Sequence, residues 1–210
     1  MIKKNLKILI TTSVIILLPI AAGLILWNQL PESVPTHWNF KGDVDGYSSK
    51  AFVVFGLPLM MLAIQWLCVL ATNADPKKEK HPQKVLHLVF WLIPIITVGL
   101  SIATYLAALG QDVRMEVVAP VVLGFVFIII GNYLPKCKQN YTIGIKIPWT
   151  LESEENWNKT HRFAGMLWVI GGIVIMCTSF FGGFFLFFGI TLVMVLVPFI
   201  YSYILYKKGV

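Results

Sequence analysis

Charge is scarce in this sequence. Of its 210 residues only 13% are Asp, Glu, Lys or Arg, about half the share of a water-soluble domain, and the mean hydropathy is +0.76. A soluble globular domain is excluded on that ground. Disorder is excluded too, because a chain with 57% hydrophobic and 13% aromatic residues cannot stay dissolved and unfolded. Cysteine is nearly absent. Cys68 and Cys177 lie in apolar runs and Cys137 in a polar loop, an odd number without metal-ligand spacing, so no disulfide, metal or cofactor is expected. Catalytic motifs are missing: there is no G-x-S-x-G, H-E-x-x-H or phosphate loop. The candidate bases His87 and His161 have no carboxylate within an apolar run, which argues against an enzyme.

What the chain does have is six long apolar runs, residues 8–27, 51–71, 85–106, 117–133, 163–181 and 184–206, none containing an acid, lysine or arginine. Each is close to the roughly 20 residues that carry a helix across a bilayer. The expected fold class is therefore all-α, a polytopic transmembrane bundle of six spans. Lys3, Lys4 and Lys7 precede the first run as in a signal peptide, but the run is too long and has no convincing cleavage site, so it reads as an uncleaved span.

The net charge of +7 suggests nucleic acid until the charges are placed. With the N-terminus cytoplasmic, 14 of the 17 basic residues fall in inner segments; only Lys41, Lys50 and Arg114 fall outside, beside Glu32, Asp43, Asp45, Asp112 and Glu116. Retained positive charge sets orientation. Both termini are thus expected in the cytoplasm of a bacterial plasma-membrane protein, with membrane lipids as neighbours and no direct nucleic-acid partner. Attraction of the inner face to anionic lipid is secondary.

Five runs contain a proline (Pro19, Pro58, Pro94, Pro120, Pro198) and the fifth carries Gly171 and Gly172, which permit a kink and close helix approach respectively. Polar residues within the runs are neutral: Gln65, Thr97, Ser101, Thr104, Asn132, Thr178, Ser179 and Thr191. An ion-coupled carrier is disfavoured, since coupling needs an ionisable group in the membrane, and a passive exporter or a general membrane or envelope-stress protein is left as the alternative. Gly182 and Gly183 are expected to form a tight hairpin between the last two spans. The 77–84 segment reads as a solvated linker with an exposed His81.

Two connections are long and rich in aromatics, Gly and Pro, as ordered loops are. The outer one, 28–50, holds Thr36, His37, Trp38, Asn39, Phe40, Asp45, Gly46 and Tyr47. Asp45-Gly46 reads as its turn, and Ser48 or Ser49 as the N-cap of the second span. Asp43, Asp45 and His37 are too few for a calcium or zinc site. The inner one, 134–162, holds Asn140, Tyr141, Gly144, Lys146, Pro148, Trp149, Thr150, Trp157, Thr160, His161 and Arg162. There Thr150 is expected to cap a helix from Leu151, Glu155 and Lys159 form an i, i+4 pair, and Trp157, His161, Ala164 and Trp168 share one stripe. This loop is either a membrane-surface scaffold or a docking face for a cytoplasmic protein.

The segment LPESVPTHWNFKGDVDGYSSK resembles the outer-loop signature of a widespread bacterial membrane domain, DUF1648. NYTIGIKIPWTLESEENWNKTHRFAG resembles the signature of the SdpI family of toxin-immunity membrane proteins. The resemblance implies a DUF1648-like region at 1–71, a third span with its linkers at 72–116, and an SdpI-like region at 117–210. It also implies protection of the producing cell from a secreted sibling-killing peptide, met by the outer loop. The inner loop would then capture an ArsR-like autorepressor.

Overall fold

A computed structural model describes residues 2–39, 41–181 and 184–210. Among the described residues six helices are long and apolar enough to cross a membrane: Lys3–Ile25, Phe52–Ala74, Gln83–Ala108, Met115–Lys136, Glu154–Ser179 and Phe185–Lys207. They coincide with the six runs. Within them we label α1 Leu6–Ile25, α2 Leu57–Ala74, α3 Gln83–Ala108, α4 Met115–Tyr133, α6 Glu154–Ser179 and α7 Phe184–Lys207; α5 is a short helix, Pro148–Glu152. The chain divides into two compact units, residues 1–69 with 89–122, and residues 70–88 with 123–210.

In the first unit, α1 buries Leu9, Thr12, Ile16, Pro19 and Gly23, a stripe at alternating spacings of three and four. Its opposite face, Ile10, Val14 and Leu18, is exposed yet equally apolar, as a helix solvated by lipid must be. Thr12 returns its hydroxyl to the Ile8 carbonyl and accepts the Gln65 side-chain amide at 2.9 Å, tying α1 to α2 inside the apolar layer. A π-turn, Phe52–Gly56, leads into α2 immediately before Pro58, so the break expected at that proline is a widened turn. Beside it α1 approaches closely: a Cβ on Gly23 would lie 2.7 Å from Val54 and 2.8 Å from the Tyr105 hydroxyl, which donates to the Pro19 carbonyl.

The loop after α1 is an antiparallel hairpin, β1 Ser33–Trp38 and β2 Val44–Ser49, so the bundle carries one small sheet that the hydropathy pattern did not suggest. The two strands are closed by the Asn39 amide on the Asp43 carbonyl and do not turn at Asp45-Gly46, which lies within β2. The reason is local: Asn39 Oδ1 accepts the amides of Lys41 and Asp43, and Gly42 supplies the left-handed conformation at φ +88°. Val34 enters the core with Leu30, Val53, Val54 and Tyr105. Lys50 fixes the base, donating to the Trp27 and Leu30 carbonyls at the end of α1, pairing with Glu32 at 2.7 Å and lying over the Trp27 ring. Ser49 Oγ accepts the Phe52 amide, the N-cap expected for the second span.

In the second unit α4 and α6 meet backbone to backbone. A Cβ on Gly124 would lie 2.8 Å from the Gly172 carbonyl, one on Gly172 2.5 Å from the Gly124 carbonyl, and the same reciprocal contact joins Gly131 and Gly165 at 2.8 and 2.7 Å. Small residues permit such packing where no hydrophobic force separates helix from lipid. The helix after the long loop is capped by Ser153, whose hydroxyl accepts the Asn156 amide, and not by Thr150. Gln139 decides this: its amide donates to the carbonyls of Thr150 and Leu151, the groups a continuous helix would spend on residues 154 and 155. From Glu154 the helix then runs without a break through His161 into the fifth span. The expected Gly182-Gly183 hairpin lies outside the described residues.

Gly172→Ala should therefore lower stability by about 1–3 kcal/mol through forced separation of α4 and α6. Gly189→Ala, with nothing within 4 Å of the added methyl, should be neutral or gain up to about 1 kcal/mol. Thermal unfolding in detergent checks the contrast, and equal shifts would contradict the close packing.

Candidate functional site

Two i, i+4 pairs at the start of α6 explain its polar, aromatic beginning. Asn156 and Thr160 face one way: the Asn156 amide donates to the Ser202 carbonyl on α7, while its Oδ1 accepts the Ser202 hydroxyl at 2.6 Å and the Thr160 hydroxyl at 3.0 Å. Trp157 and His161 face another, their rings stacked 4.0 Å apart and both fully buried. Trp157 Nε1 donates to the Cys137 carbonyl and its ring packs on Val85 and Cys137. The expected stripe is thus buried at Trp157, His161 and Ala164 and half-buried at Trp168.

His161 holds the loop. Its Nδ1–H donates to the Trp157 carbonyl at 2.8 Å, which leaves Nε2 to accept the Ile145 amide at 2.9 Å. Both nitrogens are committed, so the ring is a fixed neutral bridge with no free lone pair for a metal or a proton transfer. Gly144, at φ +120°, lets the loop reach it: a Cβ there would run into His161 Nε2 and lie 3.1 Å from the Trp157 ring. Only glycine combines that conformation with that approach.

The rest of the loop is internally satisfied. Asn140, fully buried, accepts the Thr142 and Ile143 amides and donates to the Lys138 and Ile143 carbonyls. The Thr150 hydroxyl donates to the Ile145 carbonyl at 2.8 Å and accepts the Ile147 amide. Trp149 leaves the loop to lie among Phe199, Tyr203 and Tyr206 of α7. Tyr141, Lys146, Pro148 and Arg162 remain exposed. Burial pushes the Cys137 thiol up to about 11, so it stays protonated and unreactive.

The sequence reading missed the residues on which this loop sits. Asp75, whose side chain is 0% exposed, accepts the Tyr141 amide and the Thr142 hydroxyl on Oδ2 and the Lys77 amide on Oδ1. His81, expected in solvent, is buried against it with Nε2 3.6 Å from the carboxylate. Lys77 reaches the Gln139 side chain at 2.8 Å and lies over the Tyr141 ring. Burial opposes ionisation of Asp75, but the Lys77 amide, the Thr142 hydroxyl, the Tyr141 amide and His81 outweigh it and hold the carboxyl below its ordinary 3.8. Burial lowers His81 against the pull of Asp75. The segment 75–81 is therefore a structural support, and no local pattern in the sequence could have found it.

In the first unit the hairpin places the other set. Thr36 and Ser48 hydroxyls meet across the strands at 3.0 Å, His37 Nδ1–H donates to Asp45 at 2.5 Å, and Gly46 leaves room for the His37 side chain directly opposite. Trp38 and Asn39 are half-buried at the tip, whereas His37, Asp45 and Tyr47 point outward, Tyr47 with 60% of its surface exposed. Phe40 lies outside the described residues. Among the described residues no three His, Cys, Asp or Glu side chains gather to hold a metal.

Asp75→Ala should loosen the 139–146 loop by about 1–3 kcal/mol, because it takes the acceptor from the part-buried Tyr141 and Lys77 amides and from the Thr142 hydroxyl. A depressed carboxylate stabilises above its unfolded value and loses that contribution as pH falls through the lower folded value. The stability difference between wild type and variant should hold above pH 3.8 and shrink in stronger acid. Hydrogen exchange of the loop amides across pH checks both points.

A profile described as the SdpI/YfhL protein family matches residues 136–202, which run from the loop through most of α7. A second, described as a domain of unknown function, DUF1648, matches residues 14–62, which include the hairpin. The immunity protein SdpI of Bacillus subtilis (strain 168) is 31% identical over 210 residues, covering 98% of this chain and 97% of that protein. No solved structure matches. Identity at that level along nearly the full length of both proteins, with the matched segments falling on the hairpin and on the buried Asn156–Trp157–His161 cluster, places the chain in the SdpI/YfhL family of multi-pass membrane proteins.

Proposed function

We propose that this chain is an immunity protein that protects the cell carrying it from a secreted peptide toxin. The observation that carries the reading is the 31% identity to an immunity protein across 98% of the chain. Its charge distribution, with 14 of 17 basic residues in alternate connections, supports an orientation with both termini cytoplasmic, the hairpin outside and the 134–162 loop inside. The outward hairpin side chains His37, Asp45 and Tyr47, with Trp38 beside them, meet the toxin; Thr36, Asn39 and Gly46 hold the hairpin's form. No bond is made or broken.

The protein also acts as a sensor. The exposed Tyr141, Lys146, Pro148 and Arg162 form the face that captures an ArsR-like repressor, held in shape by the buried Asn140, Gly144, Thr150, Trp157, Thr160 and His161. Toxin must then favour one of two helix arrangements by differential contact energy, since otherwise nothing is transmitted.

A toxin-sensitive cell expressing this protein should survive the purified sibling-killing peptide and not an unrelated pore-forming peptide. Arg162→Ala should keep that survival while a repressor-controlled reporter loses induction. Survival of neither challenge, with the protein present in the membrane, would sink the immunity reading. Orientation is checked separately by cysteines at Lys41 and Glu152 in a background lacking Cys68, Cys137 and Cys177. The first should label in sealed cells and the second only after permeabilisation.

A further inference from the structure

One cleft in the first unit is lined by polar groups that the fold itself does not use. Its walls are Val53, Leu57 and Met61 from the start of the second span and Leu100, Ser101 and Thr104 from the end of the third, and it is half-enclosed, with a volume of about 130 Å³. Thr97, a turn before Ser101 on the same wall, returns its hydroxyl to the Ile93 carbonyl at 2.8 Å, the usual retreat of a helical threonine in an apolar layer. The Ser101 and Thr104 hydroxyls make no such bond among the described residues. The opposite wall adds an acceptor. In the π-turn Phe52–Gly56 the Leu57 amide is spent on the Phe52 carbonyl, and the next residue, Pro58, has no N–H, so the Val53 carbonyl loses both amides that could close on it from the following turn. An unpaired hydroxyl or carbonyl finds no water in hydrocarbon. Two hydroxyls and a carbonyl on residues lining one small apolar cleft are the makings of a binding site.

We propose that this cleft binds a phenol ring. Size and polarity choose the occupant together. A cavity of about 150 Å³ accommodates a benzene ring, and a phenolic O–H both donates, as the Val53 carbonyl requires, and accepts, as a serine or threonine hydroxyl requires. A lipid acyl chain fills the volume but leaves all three groups unpaired. An indole is larger and has a donor only. The ring has two sources, a tyrosine side chain of the secreted peptide or a free phenol, and the first of these rests on the immunity reading above. Under that reading the cleft belongs to the outer half of the bilayer, with Val53 one turn after β2 and Thr104 one turn before the end of α3.

The test titrates the purified full chain in detergent with p-cresol, the body of a tyrosine side chain, and with toluene, the same body without its hydroxyl, while NMR follows the isotope-labelled methyl of Met61. p-Cresol should shift that methyl saturably and half-saturate about tenfold below toluene, the worth of one hydrogen bond. Ser101→Ala combined with Thr104→Val, which removes both hydroxyls at nearly constant volume, should narrow the gap. Leu100→Phe, which fills the cleft, should abolish the Met61 response to both compounds while the other methionine methyls keep their positions. Equal half-saturation by p-cresol and toluene in the wild type, the result for a cleft that holds only water or lipid, overturns the proposal, and so does an undiminished preference in the variant without hydroxyls. Displacement of p-cresol by the purified sibling-killing peptide assigns the ring to a tyrosine of that peptide, whereas p-cresol binding without displacement assigns the cleft to a free phenol. Failure of the wild type to protect cells removes the immunity reading, and the titration still decides the cleft.

Discussion

A buried backbone amide or carbonyl that loses its helix partner has no water to turn to, and the irregular stretches of this chain are built around that constraint. Where α1 ends, the ammonium of Lys50 takes the Trp27 and Leu30 carbonyls. Where the path toward α6 breaks, the Gln139 amide takes those of Thr150 and Leu151. The Cys137 carbonyl goes to Trp157 and the Ile145 amide to His161. Each partner is a long or planar side chain delivered from a different element, so removing one costs the packing of that element as well as the bond.

The same constraint decides what the sequence revealed. Lipid demands unbroken apolar runs, and a run is a local property, so all six spans were legible, although the fifth helix begins at Glu154, well before the run that starts at Phe163. So were features that depend on neighbours a turn away: the Ser49 cap, the Glu155–Lys159 pair at 2.7 Å, and the Trp157, His161 and Ala164 stripe. The hairpin was not, because Pro31, Pro35 and two glycines interrupt the alternation and only Val34 is fully buried on its inward face. His81 was misjudged because its burial depends on Asp75 and on Thr142, a residue 61 positions away. Ser153 and Thr150 were equally good caps by type; the choice between them was made by Gln139, which no pattern around either residue contains.

The division of labour inside the 134–162 loop also changes how it should be read. A motif of exposed and buried residues in one stretch invites the view that every member touches a partner. Here Asn140, Gly144, Thr150, Trp157, Thr160 and His161 are spent on bonds and packing within the loop and the start of α6, and Tyr141, Lys146, Pro148 and Arg162 are left exposed. Residues 75–81, outside both family segments, belong to the same assembly through Asp75.

The glycine contacts between α4 and α6 carry a mechanical consequence. Gly124 with Gly172 and Gly131 with Gly165 repeat at seven residues on both helices, so the two backbones mesh like gear teeth. A sliding displacement of less than a full tooth would drive carbonyls into bulkier side chains such as Ile128 and Val169. Piston motion between these two helices is thereby blocked, and the pair is left to tilt or rotate together as one lever.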